Sequence, residues 1–83
     1  EAREHGKATL KALERQVGLT PTHIVPTSKG GVQLEYSLAS GTLEVEVNPD
    51  GTIGLLFPDD SEHEGLVLED VYLQINRYGS SMK

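Results

Sequence analysis

The stretch Val32-Gln33-Leu34-Glu35-Tyr36-Ser37-Leu38-Ala39-Ser40-Gly41-Thr42-Leu43-Glu44-Val45-Glu46-Val47-Asn48-Pro49-Asp50-Gly51-Thr52-Ile53-Gly54-Leu55-Leu56-Phe57 decides the fold. Apolar and polar residues alternate along it, so Val32, Leu34, Tyr36 and Leu38 share one face of a strand and Gln33, Glu35 and Ser37 the other. Leu43, Val45 and Val47 alternate with Glu44, Glu46 and Asn48, and Ile53, Leu55 and Phe57 with Gly54 and Leu56. Asn48-Pro49-Asp50-Gly51 has Pro, Asp and Gly where a three-residue hairpin loop with a glycine bulge wants them, which pairs Val47 with Ile53 and Val45 with Leu55. Ser40-Gly41 as a two-residue loop pairs Leu38 with Leu43, Tyr36 with Val45 and Leu34 with Val47, and sets Glu35 opposite Glu46. Both registers gather every large aliphatic except Leu56 on one face, and a slip of one residue would invert that.

Upstream, Leu10, Leu13 and Val17 recur at helical spacing with Ala8 and Ala12 beside them, and good helix formers fill residues 3–17. Gly18 closes that helix, Leu19 folds back over its last turn, and Pro21 prevents a restart. His23-Ile24-Val25 lies between Pro21 and Pro26, so it is at most a short edge strand. Ser28-Lys29-Gly30-Gly31 signals a turn. Downstream, residues 59–65 read as a polar acidic loop. Leu68, Val71, Tyr72, Ile75 and Tyr78 then fit a second helix ended by Gly79, although Val71, Leu73 and Ile75 also alternate as a strand would. The expected fold is α+β and two-layered: an antiparallel meander of three to four strands with two helices on its apolar face, in the order α-(β)-β-β-β-α. Residues 3–78 form one domain and 79–83 a flexible tail; a chain beginning at Glu1 reads as a piece of something longer.

The chain has 83 residues and no cysteine, which excludes a disulfide framework, a thiolate zinc site and a thiol nucleophile. No run of about eighteen apolar residues offers a helical membrane span. Seven basic against thirteen acidic residues give a net charge of −6, which argues against general nucleic-acid binding because phosphate neutralisation needs a basic field. The helix–strands–helix order is that of the double-stranded RNA-binding domain, whose last helix opens on basic residues. Here that position reads Leu66-Val67-Leu68-Glu69-Asp70.

Catalytic patterns are equally scarce. His5, His23 and His63 are scattered, and Asp59, Asp60, Glu62, His63 and Glu64 lack the ligand order of a calcium loop. No serine sits in a Gly-x-Ser-x-Gly elbow, and Gly30-Gly31 is too short for a phosphate loop. Glu35 and Glu46 are paired acids, but on an open sheet face without a cleft. The expectation is a non-enzymatic protein with no metal and no cofactor.

Charge placement is the informative feature. Glu35, Glu44 and Glu46 share the outer sheet face with Leu56, Gly54 leaves room beside them, and Asp59 and Asp60 lie just beyond the third strand. An apolar residue rimmed by acids suits a basic protein partner, and the bland alternative is an ordinary solvated face. Arg3, Lys7, Lys11 and Arg15 form a basic stripe on the first helix. Residues 1–17 carry a net +1 and residues 18–83 a net −7. That asymmetry leaves two alternatives, a self-associating structural domain and a weak nucleic-acid binder acting through the stripe.

The run Val25-Pro26-Thr27-Ser28-Lys29-Gly30-Gly31-Val32-Gln33-Leu34-Glu35-Tyr36, with Leu43-Glu44-Val45-Glu46-Val47-Asn48-Pro49-Asp50-Gly51 after it, resembles a group of small, mostly uncharacterised bacterial proteins. Its members carry a Pro-Thr-x-x-Gly-Gly-Val-Gln-Leu-Glu-Trp segment and a Leu-Glu-hydrophobic-Glu hairpin ending in Asp-Pro-Asp-Gly. The match covers about residues 8–57, departs from the group at Tyr36 and Asn48, and lacks an upstream Trp-Asp-Gly segment. The resemblance implies a cytoplasmic bacterial or phage protein, with no catalytic residue or cofactor to carry over. The group's association with toxin–antitoxin or phage-defence neighbourhoods places an antitoxin or inhibitor docking a basic nuclease-type partner first among the readings. Its contact residues would be Glu35, Glu44, Glu46, Leu56, Asp59 and Asp60.

Overall fold

The structure is a computed structural model that describes the backbone of residues 2–81 and the side chains of residues 7–78. Helix α1 (Ala2–Val17) is followed by strands β1 (His23–Pro26), β2 (Val32–Leu38), β3 (Gly41–Val47), β4 (Ile53–Leu56) and β5 (Glu62–Leu66), then by helix α2 (Leu68–Ser81). The five strands form one antiparallel meander in sequence order. Both helices pack on the same sheet face, α1 against β2 and β3 and α2 against β4, and they touch each other. The fold is α+β, with five strands where the sequence suggested three or four.

Alternation built the core as expected. Leu34, Tyr36, Leu43, Val45, Val47, Ile53, Leu55 and Phe57 are buried beneath the helices, joined by Leu13 from α1 and Val71 from α2. Residue 18 leaves α1 with positive φ, and Leu19 N–H reaches back to the Leu13 carbonyl at 3.4 Å, so the helix stops where the glycine stands. The last segment is a helix and not a strand. Glu69 and Asp70 sit in its first turn, where carboxylates favour the helix dipole, and Asp70 Oδ2 accepts from Val67 N–H at 3.5 Å. Its backbone continues past Gly79 to Ser81, and the rest of the proposed tail, Met82 and Lys83, lies outside the described residues.

The structure departs from the sequence expectation at two turns. The β2–β3 loop is Ala39-Ser40, so Leu38 pairs with Gly41, Tyr36 with Leu43 and Leu34 with Val45. The glycine is needed just after the loop: Gly41 has φ 139° and passes against Pro58, so a Cβ there would stand 3.0 Å from the proline ring. The shift is two residues, which preserves each residue's face but changes its partner. Glu35 therefore opposes Glu44, and Gln33 opposes Glu46.

Residues 59–65 are not one acidic loop: only Asp59 to Ser61 belong to a turn, and Glu62–Leu66 is a strand. The turn copies the preceding one. Asn48 N–H donates to the Thr52 carbonyl and Gly51 N–H to the Asn48 carbonyl, both at 2.9 Å; Phe57 N–H donates to Ser61 at 3.0 Å and Asp60 N–H to Phe57 at 2.9 Å. The side chains match too. Asp50 Oδ1 accepts from Thr52 N–H and Oγ1 at 2.9 and 2.7 Å, and Asp59 Oδ1 accepts from Ser61 N–H and Oγ at 3.0 and 2.6 Å. Pro49-Asp50-Gly51-Thr52 and Pro58-Asp59-Asp60-Ser61 are one hairpin device used twice, and the second must return a strand.

Candidate functional site

The sheet face turned away from the helices carries two rows of side chains that run across the strands. One row follows the register His23–Glu35–Glu44–Leu56–Glu62 through all five strands. The neighbouring row runs Val25–Gln33–Glu46–Gly54, and the Glu64 carboxylate lies over Gly54 where a Cβ would come within 3.0 Å of it. The order follows from alternation: each strand that turns aliphatics to the core must turn the residues between them to solvent.

These rows enclose a shallow depression of about 130 Å³, lined by Gln33, Glu44, Glu46, Leu56, Glu62 and Glu64 with Gly54 between them. Glycine at position 54 makes the dip, because any other residue would project there between Glu46 and Glu64. Leu56 is half-buried and supplies an apolar wall. No lysine or arginine occurs in any of the five strands, so five glutamates share this face without a cation of their own.

Repulsion between them is partly managed by neutral groups. Glu35 and Glu44 stand directly opposite, an arrangement that weakens a strand pair. Gln33 Nε2 donates to Glu44 Oε1 at 2.7 Å and to Glu35 Oε2 at 3.2 Å, holding both with one amide. His23 Nδ1 lies 3.7 Å from Glu35 Oε1 at the edge of the sheet. Glu46, Glu62 and Glu64 make no ion pair among the described residues.

Of the six residues expected from the sequence, Glu35, Glu44, Glu46 and Leu56 come together on this face. Asp59 and Asp60 do not line the depression: both are exposed in the β4–β5 turn. Hydrogen bonds from the Ser61 hydroxyl and N–H hold the Asp59 carboxyl below its usual range, and the charge near it is His63, which packs edge-on against Phe57 on the helix side. Sequence reading missed Glu62, Glu64 and Gln33. The first two fall in a stretch that reads as a loop, although the repeated Pro-Asp-x-Ser/Thr device signals a returning strand. Gln33 was assigned to the correct face, but its bridging role depends on the register.

Among the described residues, no three His, Asp or Glu side chains converge as metal ligands, and no helix is long and apolar enough to cross a membrane. A second shallow pocket, about 240 Å³, lies between α2 and β5 with Phe57, His63, Arg77 and Tyr78 in its wall. Phe57 and Tyr78 stack at 4.6 Å, so that wall is packing between α2 and the sheet. Comparison of the chain with protein-family models, with curated proteins and with solved structures returns no match.

Proposed function

We propose that the chain is a non-enzymatic, cytoplasmic protein-interaction module that presents this acidic sheet face to a basic protein. The observation that supports it is the pair of cross-strand rows, in which four carboxylates surround Leu56 and the dip over Gly54, Glu35 stands beside them, and no lysine or arginine lies in any strand. A lysine or arginine of the partner entering the dip would meet Glu44, Glu46, Glu62 and Glu64 together, while Leu56 covers its aliphatic stem. The nucleic-acid-binding groove of a nuclease is the class of surface that fits, since carboxylates can take the positions of phosphates there. An antitoxin or inhibitor would act in this way. The same field repels a nucleic-acid backbone, which argues against RNA or DNA as the ligand of this face.

The test is parallel affinity capture from the native host with wild type and E44K/E46K as baits. Wild type should retain a basic protein that elutes as salt is raised, and the variant should lose it. With that partner purified, the variant's association rate should fall and its salt dependence flatten. Equal retention and equal rates would remove this face from consideration.

A further inference from the structure

Charge in this molecule is sorted by layer. The described cations are Lys7, Lys11 and Arg15 on α1, Lys29 in the β1–β2 turn and Arg77 on α2. At 3.6 residues per turn, Lys11 and Arg15 stand about 160° around α1 from Leu13, and Lys7 about 120°. Leu13 is fully buried against the sheet and the three cations are exposed, so they point away from it. Arg3 belongs to the same stripe, but its side chain lies outside the described residues. Among the described residues, no lysine or arginine lies within ion-pair distance of a carboxylate, and the His23 imidazole beside Glu35 is the one basic group that does. Among the described residues, a cationic outer helix surface and an anionic outer sheet surface thus lie on opposite sides of one domain.

The spacings also correspond. Lys11 and Arg15 are separated by about 6 Å along the helix axis. Glu44 and Glu46 are separated by about 7 Å along β3. A helix laid along β3 of another molecule would set one cation near each glutamate, with Glu62 and Glu64 flanking it two strands to the side. Glu14 flanks the stripe, and Glu69 and Asp70 open α2, which confines the complementary surface to the outer side of α1.

We propose that this chain self-assembles head to tail, with α1 of one copy lying on the acidic sheet face of the next through Lys7, Lys11 and Arg15. The two patches differ and lie on opposite layers, so the contact is heterologous and leaves a free helix and a free face at the ends. It extends beyond two copies and does not make a two-fold dimer. The molecule measures 37 × 22 × 22 Å, so one face offers at most on the order of 800 Å², about what one partner contributes to a standard interface. Exposed ion pairs are individually weak, so assembly should be reversible and salt-sensitive. The inference rests on the same electronegative face as the proposed function, and a basic partner would compete with assembly for it.

Sedimentation velocity on wild type, K11Q/R15Q, E44Q/E46Q and an equimolar mixture of the two variants tests this. Ionic strengths of about 10 mM and about 1 M give Debye lengths of about 30 and 3 Å. At low salt, wild type should sediment faster as its concentration rises, and at high salt it should return to monomer. Each variant alone should associate more weakly, by about two- to thirtyfold. Their mixture should recover association but stop at the dimer, because one variant keeps the acidic face and the other the basic helix. K11R/R15K should assemble like wild type, and circular dichroism melts check that every variant folds. A wild type that stays monomeric at low salt, variants that associate like wild type, or a mixture that recovers nothing would each overturn the proposal. K11Q/R15Q should still capture the basic partner, so loss of self-assembly and loss of partner docking are read separately.

Discussion

At residue 60 the second hairpin uses aspartate where the first uses Gly51. Asp60 has φ 69° and Gly51 φ 88°, both in the left-handed region, which a side chain resists and glycine accepts freely. Asp60→Gly should therefore stabilise the protein by about 0.5–1 kcal/mol in urea denaturation. An unchanged midpoint would mean that the aspartate makes up its backbone cost by other contacts. Tyr36 gives a second case. Its side chain is fully buried, and its hydroxyl has no hydrogen-bond partner among the described residues. Burial, with a smaller contribution from the Glu14 carboxylate, pushes its pKa up to about 12. An unfolded tyrosine titrates near 10, so between about pH 10 and 12 the unfolded chain loses this proton while the folded chain keeps it. Stability from this source is full below pH 10 and falls as pH rises, by on the order of 2 kcal/mol. Tyr36→Phe should flatten that alkaline decline. It should also be neutral or about 1 kcal/mol stabilising at pH 7, since it removes an unsatisfied buried hydroxyl.

Elements differ in how firmly they are held. Among the described residues, eight of the ten in the core come from β2, β3, β4 and Phe57, whereas each helix contributes a single fully buried aliphatic, Leu13 or Val71. Half-buried Leu10 and Val17 flank Leu13, and Tyr72, Ile75 and Tyr78 assist Val71. Leu13→Ala should cost about 3 kcal/mol by denaturant unfolding. Because so much of the α1 attachment passes through that side chain, hydrogen exchange in the variant should quicken in α1 well before β2–β4. Uniform quickening would mean that helix and sheet unfold as one unit. Legibility in the sequence follows the same division. Strands β2–β4 were readable because alternating aliphatics mark a buried face. β5 was not, because Glu62 and Glu64 face solvent and only His63 and Leu66 turn inward, so the periodic signal is nearly empty. The missing clue was the repeated turn, not the strand.

Across the whole molecule, net charge and charge position make separate predictions. E44K/E46K adds two units at each site and moves the net charge from −6 to −2. E69K/D70K makes the same change at the start of α2, away from the acidic face. If long-range steering alone drives partner association, the two variants should slow it equally. If the contact is local, only E44K/E46K should slow it strongly, and stopped-flow association at low and high salt tells them apart. The α2 variant will also lose some stability, because it places cations at a helix N-terminus.

The sequence alone determined which side of each central strand meets the core, because side-chain direction alternates every residue and one face had to bury its aliphatics. It thereby determined that Glu35, Glu44 and Glu46 emerge together with Leu56, and an error of two residues in the β2–β3 register could not disturb that. Partners were another matter. Whether Glu35 opposes Glu46 or Glu44, whether one glutamine amide spans two carboxylates, and whether Glu62 and Glu64 complete the surface depended on where the chain turns and on which strand lies beside which. Those are contacts between residues distant in sequence, settled by the packing of Gly41 against Pro58 and the return of β5 along β4, and no local pattern encodes them.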